Sequence, residues 1–376
     1  MSIQQLLPQM VLDSINEGVY VTDIDRTIRY WGKGAERITG WAASDVIGRR
    51  CLDDILCHID KDGHRLCGEE YCPLHRSIAT GQRSTLPIIV FAQTRAGHRV
   101  PLQVAVSPLC NEAGEVIGGV ETFRDITHEM ADIERAGKIQ QLSLRHELPV
   151  DSRIKFTQRY VPQDVIGGDY CAVERLTPDH YGFLLADVTG HGVPAALYTM
   201  FLSSLWASHR DLLMKPAEFA GVVGGRLEEL IEESEPFAAA LCGVLDFALG
   251  EMRLVGAGNP LPLIRCADGT WQEPQASGLP LGLMCGAEYE ETVVALHAGD
   301  SLLFFTDGAV EITGADGDEI GSQGLRRILM DLDYPLLDFP FVEIESKLLE
   351  SSNRIRFDDD LTFLDVQIRE IRSFAP

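Results

Sequence analysis

The chain has no apolar run of the roughly 18 residues that cross a bilayer as a helix. Its most apolar stretches, residues 197–208 and 237–245, are too short, so no membrane partner is expected. The opening MSIQQLLPQM has no Lys or Arg and therefore lacks the basic start of a secretory signal. Low-complexity tracts and internal repeats are missing, and the composition excludes a collagen, a disordered tail and a small disulfide scaffold. Basic residues are scarce: 32 Lys and Arg stand against 57 Asp and Glu, a formal charge of −25. That deficit opposes nucleic acid and anionic lipid as default partners. Nine cysteines is an odd number. Without an export signal they are expected as reduced thiols or metal ligands in a cytoplasmic protein.

What is present is ample core-forming material. The 376 residues are 45% hydrophobic and 24% charged, with mean hydropathy +0.01, enough for two or three domains. Charge is unevenly spread. Residues 1–130 hold 13 Lys/Arg and 17 Asp/Glu, leaving 19 and 40 in residues 131–376. The acidic chemistry is expected in the second part.

Residues 10–125 alternate short strand-like runs with polar turns. Residues 18–23 (GVYVTD) pair as a hairpin with 27–31, and a helical piece over 34–39 closes at Gly40. Runs over 85–92, 98–109 and 115–124 follow, the last two joined by the turn Asn111-Glu112-Ala113-Gly114. The stretches LDSINEGVYVTDIDRTIRYWGKGAERITGW (12–41) and HRVPLQVAVSPLCNEAGEVIGGVETFRDIT (98–127) resemble the two ends of a PAS sensor domain. The resemblance implies an α+β PAS fold over 5–127 and a role in sensing or dimerisation, without naming the signal. Trp31 departs from the polar residue common in relatives.

Residues 128–150 are expected as a helical linker. Within ITHEMADIERAGKIQQLSLRHEL (126–148), Ile126, Met130, Ile133 and Leu144 fall on one heptad seam that Gly137 and Gln140 interrupt. This predicts a short parallel coiled coil that makes a homodimer; the plainer alternative is a solvated connecting helix.

From residue 151 to 370 the pattern is that of a larger unit. Strands are predicted over 155–161, 169–175 and 181–188, then helices to about 210 and over 217–233. Apolar runs at 237–247, 251–256, 261–266, 292–297 and 301–306 read as a strand meander. Helices over 323–332 and 339–352 precede a last strand, 361–368. Aspartates mark the ends of these runs: Asp169 in IGGDY, Asp187 in LLADVTGHG, Asp307 in LFFTDGAVE, and Asp359 with Asp360 in FDDDLTF. An ionised carboxylate at a buried strand end must be solvated, paired or bound to a cation, and Lys and Arg are scarce nearby. Carboxylates around one point form a hard-oxygen site for Mg²⁺ or Mn²⁺. Two such ions acidify a shared water and clamp phosphate oxygens.

Singly these motifs are weak. The Gly167-Gly168-Asp169-Tyr170-Cys171 text lacks the Glu-Phe of a diguanylate cyclase signature. In order, AGKIQ, YVPQDVIGGDY, ADVTGHGVPAALYTMFL, LVGAGNPLPLI, GLPLGL, HAGDSLLFFTDGAVEI and DDLTFLDV resemble the catalytic domain of metal-dependent serine/threonine phosphatases, the PPM family, in its SpoIIE/RsbU-type branch. The resemblance implies an α-β-β-α sandwich holding two Mn²⁺ or Mg²⁺. Asp169 and Asp187 would be ligands, Asp187 bridging, with the Val188 carbonyl adding an oxygen. Asp307 would hold one metal from the far side and Asp359 would be the last ligand. Asp360 is the alternative to Asp359 or a residue behind it, and Asp358 is expected on the surface. His191 reads as loop-positioning, since relatives with a catalytic histidine place it where this chain has Thr189. Asn259 replaces a frequent histidine. The implied reaction is hydrolysis of a phosphoserine or phosphothreonine without a covalent enzyme intermediate. The implied substrate is a phosphorylated STAS-domain anti-sigma factor antagonist in a partner-switching pathway.

Two further readings stand beside this one. A phosphatase-like scaffold without catalysis would bind the same partner. Alternatively the first part is a redox or metal sensor above a constitutive output. Cys51, Cys57, Cys67 and Cys72, with His58, His64 and His75 nearby, are dense enough to hold Zn²⁺ or an iron–sulfur centre, although their spacing fits no standard pattern. The alternative is reduced thiols in a PAS insertion. Cys110, Cys171, Cys242, Cys266 and Cys285 lie in apolar runs and are expected in the core.

Overall fold

The computed structural model describes residues 10–68, 71–84, 87–229, 237–284, 286–314, 317–335, 341–352 and 356–371. The chain divides into two compact units at Asp132/Ile133. No helix among the described residues is long and apolar enough to cross a membrane.

In the first unit, β1 (Gly18–Asp23), β2 (Ile28–Trp31), β3 (Ile88–Gln93), β4 (Arg99–Cys110) and β5 (Val116–Asp125) form an antiparallel sheet ordered β2-β1-β5-β4-β3. Helices α1 (Lys33–Thr39), α2 (Ala43–Val46) and α3 (Pro73–Thr80) accompany it. The inward residues alternate along the strands, as a sheet with one covered face requires. Tyr20, Trp31, Leu102, Val104 and Phe123 meet Ala35, Val46, Ile55 and Leu74 in one core. Trp31 is part of that core, its indole N–H donating to the Trp41 carbonyl at 3.0 Å. The cysteine-rich segment contains α3, which the sequence pattern did not predict. Pro73 opens this helix, where a missing N–H costs nothing.

The helix α4 (Thr127–Ser143) stops short of its expected end at residue 148. In its second-unit portion the buried positions are Gly137 and Gln140, not the heptad seam. A Cβ on Gly137 would stand 2.6 Å from the Val165 carbonyl, so the helix lies directly on that loop. The two residues read as interruptions are therefore the packed face, and Leu144 packs beside them against the core.

The second unit has two five-stranded antiparallel sheets. One runs β13-β10-β9-β8-β7, built from Thr292–Ala295, Glu251–Ala257, Ala238–Asp246, His180–Val188 and Asp169–Thr177. The other runs β12-β11-β14-β15-β6, from Trp271–Gln272, Leu263–Arg265, Ser301–Phe305, Leu361–Ile368 and Ile154–Val161. Their strands read as nearly continuous apolar runs because each sheet is covered on both faces. Between the sheets lie Phe156, Phe183, Leu185, Leu241, Leu254, Phe304 and Leu364. Outside the first, α5 (Val193–His209) and α6 (Pro216–Glu228) bury Leu202, Trp206, Phe219 and Val223. Outside the second, α7 (Gly321–Asp331) and α8 (Phe341–Ser352) bury Leu325, Leu329, Ile344 and Leu348. The result is the expected α-β-β-α sandwich.

Candidate active site

The register of the first sheet sets the site. Asp169, first residue of β7, lies opposite Asp187, next to last in β8. In the second sheet β14 leads into Thr306-Asp307-Gly308, and β15 begins just after Asp359 and Asp360. The four elements bring their carboxylates close enough to repel one another, although among the described residues no three of them offer ligand atoms within 4.8 Å of each other. Asp187 lies close enough to Asp169, Asp307, Asp359 and Asp360 for their charges to repel.

The group is graded from floor to mouth. Asp169 is buried at 4% exposure, Asp187 and Asp307 are half-buried, and Asp359 is exposed. Burial, followed by repulsion from Asp307, pushes the Asp187 carboxyl up to about 8. Burial and then Asp359 push Asp307 up to about 6. Asp169 is raised well above the carboxylate range by burial and then by Asp187. Among the described residues, no Lys, Arg or His forms an ion pair with any of the five aspartates. Such a group costs stability unless something positive sits in it.

Two buried carboxylate oxygens, Asp169 Oδ1 and Asp307 Oδ1, accept no hydrogen bond. The other oxygen of Asp169 is fully used: Thr306 Oγ1 donates to Oδ2 at 2.9 Å and Thr362 Oγ1 at 2.6 Å. Asp169 is thus oriented by one oxygen and left open at the other. Hard oxygens with unfilled valence fit a divalent cation such as Mg²⁺ or Mn²⁺. The Val188 carbonyl lies over the glycine loop, 2.7 Å from where a Cβ of Gly168 would be.

Asp360 is engaged differently. Its Oδ1 accepts from the Gln163 amide at 2.7 Å, and its Oδ2 accepts from the Gly168 and Asp169 amides and, at 3.4 Å, from the Tyr160 hydroxyl. Gln140 grips the same loop from the other side. Its Nε2 donates to the Gly167 carbonyl at 2.7 Å and to Thr199 Oγ1 at 2.8 Å, and its Oε1 accepts from the Gly167 amide. Sequence reasoning missed Thr306, Thr362, Gln140 and Tyr160; the Thr in both FFTDG and DDLTF is the one signal that marked two of them. Asn259 is buried and donates to the Phe305 carbonyl at 3.0 Å, tying its turn to the end of β14. His191 and Asp358 are exposed.

Residues 177–369, just over half the chain, match the family model of stage II sporulation protein E (SpoIIE). The chain belongs to the SpoIIE family. Residues 12–131 match the model of the PAS fold, as the sequence resemblance implied. The phosphoserine phosphatase RsbP of Bacillus subtilis (strain 168) is 26% identical over 225 residues, 58% of this chain and 52% of that protein. The chain therefore spans about half the length of that relative. The phosphoserine phosphatase RsbU of the same organism is 24% identical over 68% of this chain and 73% of its own length. Among solved structures, the SiaA-PP2C domain of Pseudomonas aeruginosa superposes with a TM-score of 0.53 at 21% identity, covering 65% of this chain and 98% of that one. The likeness supports the sandwich fold described for the second unit.

The alternative of a Zn²⁺ or iron–sulfur centre in the cysteine segment is not supported. Among the described residues, the His, Cys, Asp and Glu ligand atoms that approach one another in threes within 4.8 Å belong to Asp60, Asp62 and His64 alone. Cys51 and Cys72 are buried in the sensor core, and Cys67 Sγ accepts the His58 amide at 3.1 Å. Burial pushes the Cys67 thiol up to about 12 and Cys51 higher still, so both stand as protonated thiols. Density in sequence has not become a metal-ligand cluster: Cys51, Cys67 and Cys72 lie near enough to repel as thiolates but do not meet in threes within 4.8 Å. Cys171 and Cys242 are buried as expected and Cys266 is half-buried, but Cys110 is exposed, because it ends β4 at a bulge beside the hairpin turn. Cys285 lies outside the described residues.

Proposed function

We propose that this chain is a cytoplasmic, PAS-regulated, metal-dependent serine/threonine protein phosphatase. Its substrate is a phosphorylated STAS-domain antagonist of an anti-sigma factor, and it works as a homodimer through the sensor and linker helix. In this reading the sensor covers residues 5–127, the linker 128–150 and the catalytic domain 151–370. The observation that supports it most is the meeting of Asp169, Asp187, Asp307 and Asp359 with two buried oxygens left open. A scaffold without catalysis has no reason to keep so costly a group.

Asp169, Asp187, Asp307, Asp359 and the Val188 carbonyl would hold two Mn²⁺ or Mg²⁺. When bound, these supply neutralisation of phosphate charge and acidification of water. The protein's own part is positional. Asp187, near both Asp169 and Asp307, would serve both ions. Thr306 and Thr362 fix Asp169 so that its open oxygen faces the cluster. The group runs from buried Asp169 to exposed Asp359, which leaves it open to a phosphorylated side chain on a protein surface.

The test is hydrolysis of p-nitrophenyl phosphate and of purified phosphorylated STAS proteins with Mn²⁺, by the full chain and by Asp187→Asn. Metal-dependent turnover abolished by the variant is expected. A wild-type chain that binds Mn²⁺ yet hydrolyses neither substrate would sink the proposal in favour of the scaffold.

A further inference from the structure

We infer that Asp360 is a positioning residue of the metal site and not one of its ligands: its carboxylate staples the loop of residues 167–169 and thereby sets where Asp169 presents its open oxygen. This rests on the phosphatase reading above.

An ionised carboxylate has about four acceptor positions. Asp360 has both oxygens engaged, Oδ1 by the Gln163 amide and Oδ2 by the Gly168 and Asp169 amides and the Tyr160 hydroxyl. Asp169 and Asp307, in contrast, each keep a buried oxygen that accepts no hydrogen bond. Asp359, the neighbour of Asp360, is in the opposite condition to it, exposed, with the Asp360 amide at 2.8 Å as its hydrogen-bond donor and with Asp187 and Asp307 close by. The adjacent pair thus divides the work, Asp359 toward the cluster and Asp360 toward the backbone behind it.

The loop is shaped to this carboxylate. A Cβ on Gly167 would fall 1.8 Å from the Tyr160 hydroxyl and 2.2 Å from Asp360 Oδ2, so only glycine lets the main chain settle there. Every partner of Asp360 is a donor, so an acceptor-only group is required. An amide of the same size would set an NH₂ against an N–H or O–H. The residue so held, Asp169, has its other constraints from Thr306 and Thr362 on Oδ2 alone. Loss of the staple would let its open oxygen drift while every ligand remained.

The experiment compares the full chain with Asp360→Asn, Asp359→Asn and Tyr160→Phe. Bound Mn²⁺ is counted by electron paramagnetic resonance and p-nitrophenyl phosphate hydrolysis is titrated with Mn²⁺. Partners behind metal ligands typically contribute about 10- to 100-fold in affinity or activity. Asp360→Asn should keep the wild-type number of ions while its Mn²⁺ dissociation constant rises about 10-fold or more. Asp359→Asn should bind fewer ions. Tyr160→Phe should shift affinity in the same direction as Asp360→Asn, by a few-fold, with the count intact. An Asp360→Asn protein that loses an ion as Asp359→Asn does would make Asp360 a ligand and overturn the inference. So would wild-type Mn²⁺ affinity in Asp360→Asn. Should that variant fail to fold, unchanged affinity in Tyr160→Phe would overturn it instead. A wild-type chain that neither binds Mn²⁺ nor hydrolyses phosphate esters would overturn the phosphatase reading itself, a result distinct from any of these.

Discussion

Gly308 lies against the backbone of Asp360 so closely that a β-carbon on it would stand 2.0 Å from the Asp360 carbonyl oxygen. This contact presses the turn after β14 onto the segment before β15 and brings Asp307 beside Asp359. Gly308→Ala must force the two apart. Overpacking of this kind costs about 1–3 kcal/mol. A melting temperature lower by several degrees and at least ~10-fold slower Mn²⁺-dependent hydrolysis are expected. Thermal melts and the p-nitrophenyl phosphate assay measure both, and wild-type turnover would show that the aspartates meet without this contact.

Gln140 reaches from α4 to both the amide and the carbonyl of Gly167. Gln140→Ala removes these bonds and the one to Thr199, leaving buried polar groups unpaired at a cost of about 1–3 kcal/mol. Faster hydrogen exchange at the amides of residues 165–169 is the expected signature, with lower turnover. Unchanged protection there would mean that the loop does not depend on the helix.

The expected elements of the second unit were largely readable because its strands are apolar on both faces and its turns are marked by glycine and aspartate. The aspartates were readable for the same reason, each being a polar residue where an apolar run stops. What could not be read is pairing across the sandwich. Nothing local says that Thr362 donates to Asp169, 193 positions earlier. Gln140 looked like a flaw in a heptad because a helix face is chosen by what it packs on, and that partner, the loop before β7, is distant in sequence. The cysteines pointed the other way, since nearness in sequence brings thiols into one region without setting three of them at ligand distance. The two-residue β12 is too short for any periodicity.

In the sensor unit, Glu121 and His58 are both buried, with His58 Nε2 3.8 Å from Glu121 Oε1. Burial pushes the Glu121 carboxyl up to about 8 from an ordinary 4.5, and burial, then Arg99, pushes His58 down to about 4 from 6.5. Native Glu121 keeps a proton that the unfolded chain has released, so its contribution weakens as pH rises from about 4.5 to 8. His58 acts oppositely, its contribution growing from about pH 4 to 6.5. Between about 6.5 and 8 the slope from Glu121 stands alone within this pair. Glu121→Gln should therefore flatten the fall in melting temperature over that interval relative to wild type. Parallel melting curves against pH would show that Glu121 is ionised in the native protein.

Among the described residues, the first strand of the second unit, β6, pairs along eight residues with the last, β15. Asp359 and Asp360 lie immediately ahead of β15, and the loop that Asp360 holds lies shortly after β6. A nascent polypeptide can therefore form the first unit and all of the first sheet of the second while the aspartate cluster is still missing its final parts. Only when the closing strand has left the ribosome and found β6 can the pocket be completed. Completion of the aspartate cluster thus comes late in synthesis, after the first unit has already been made.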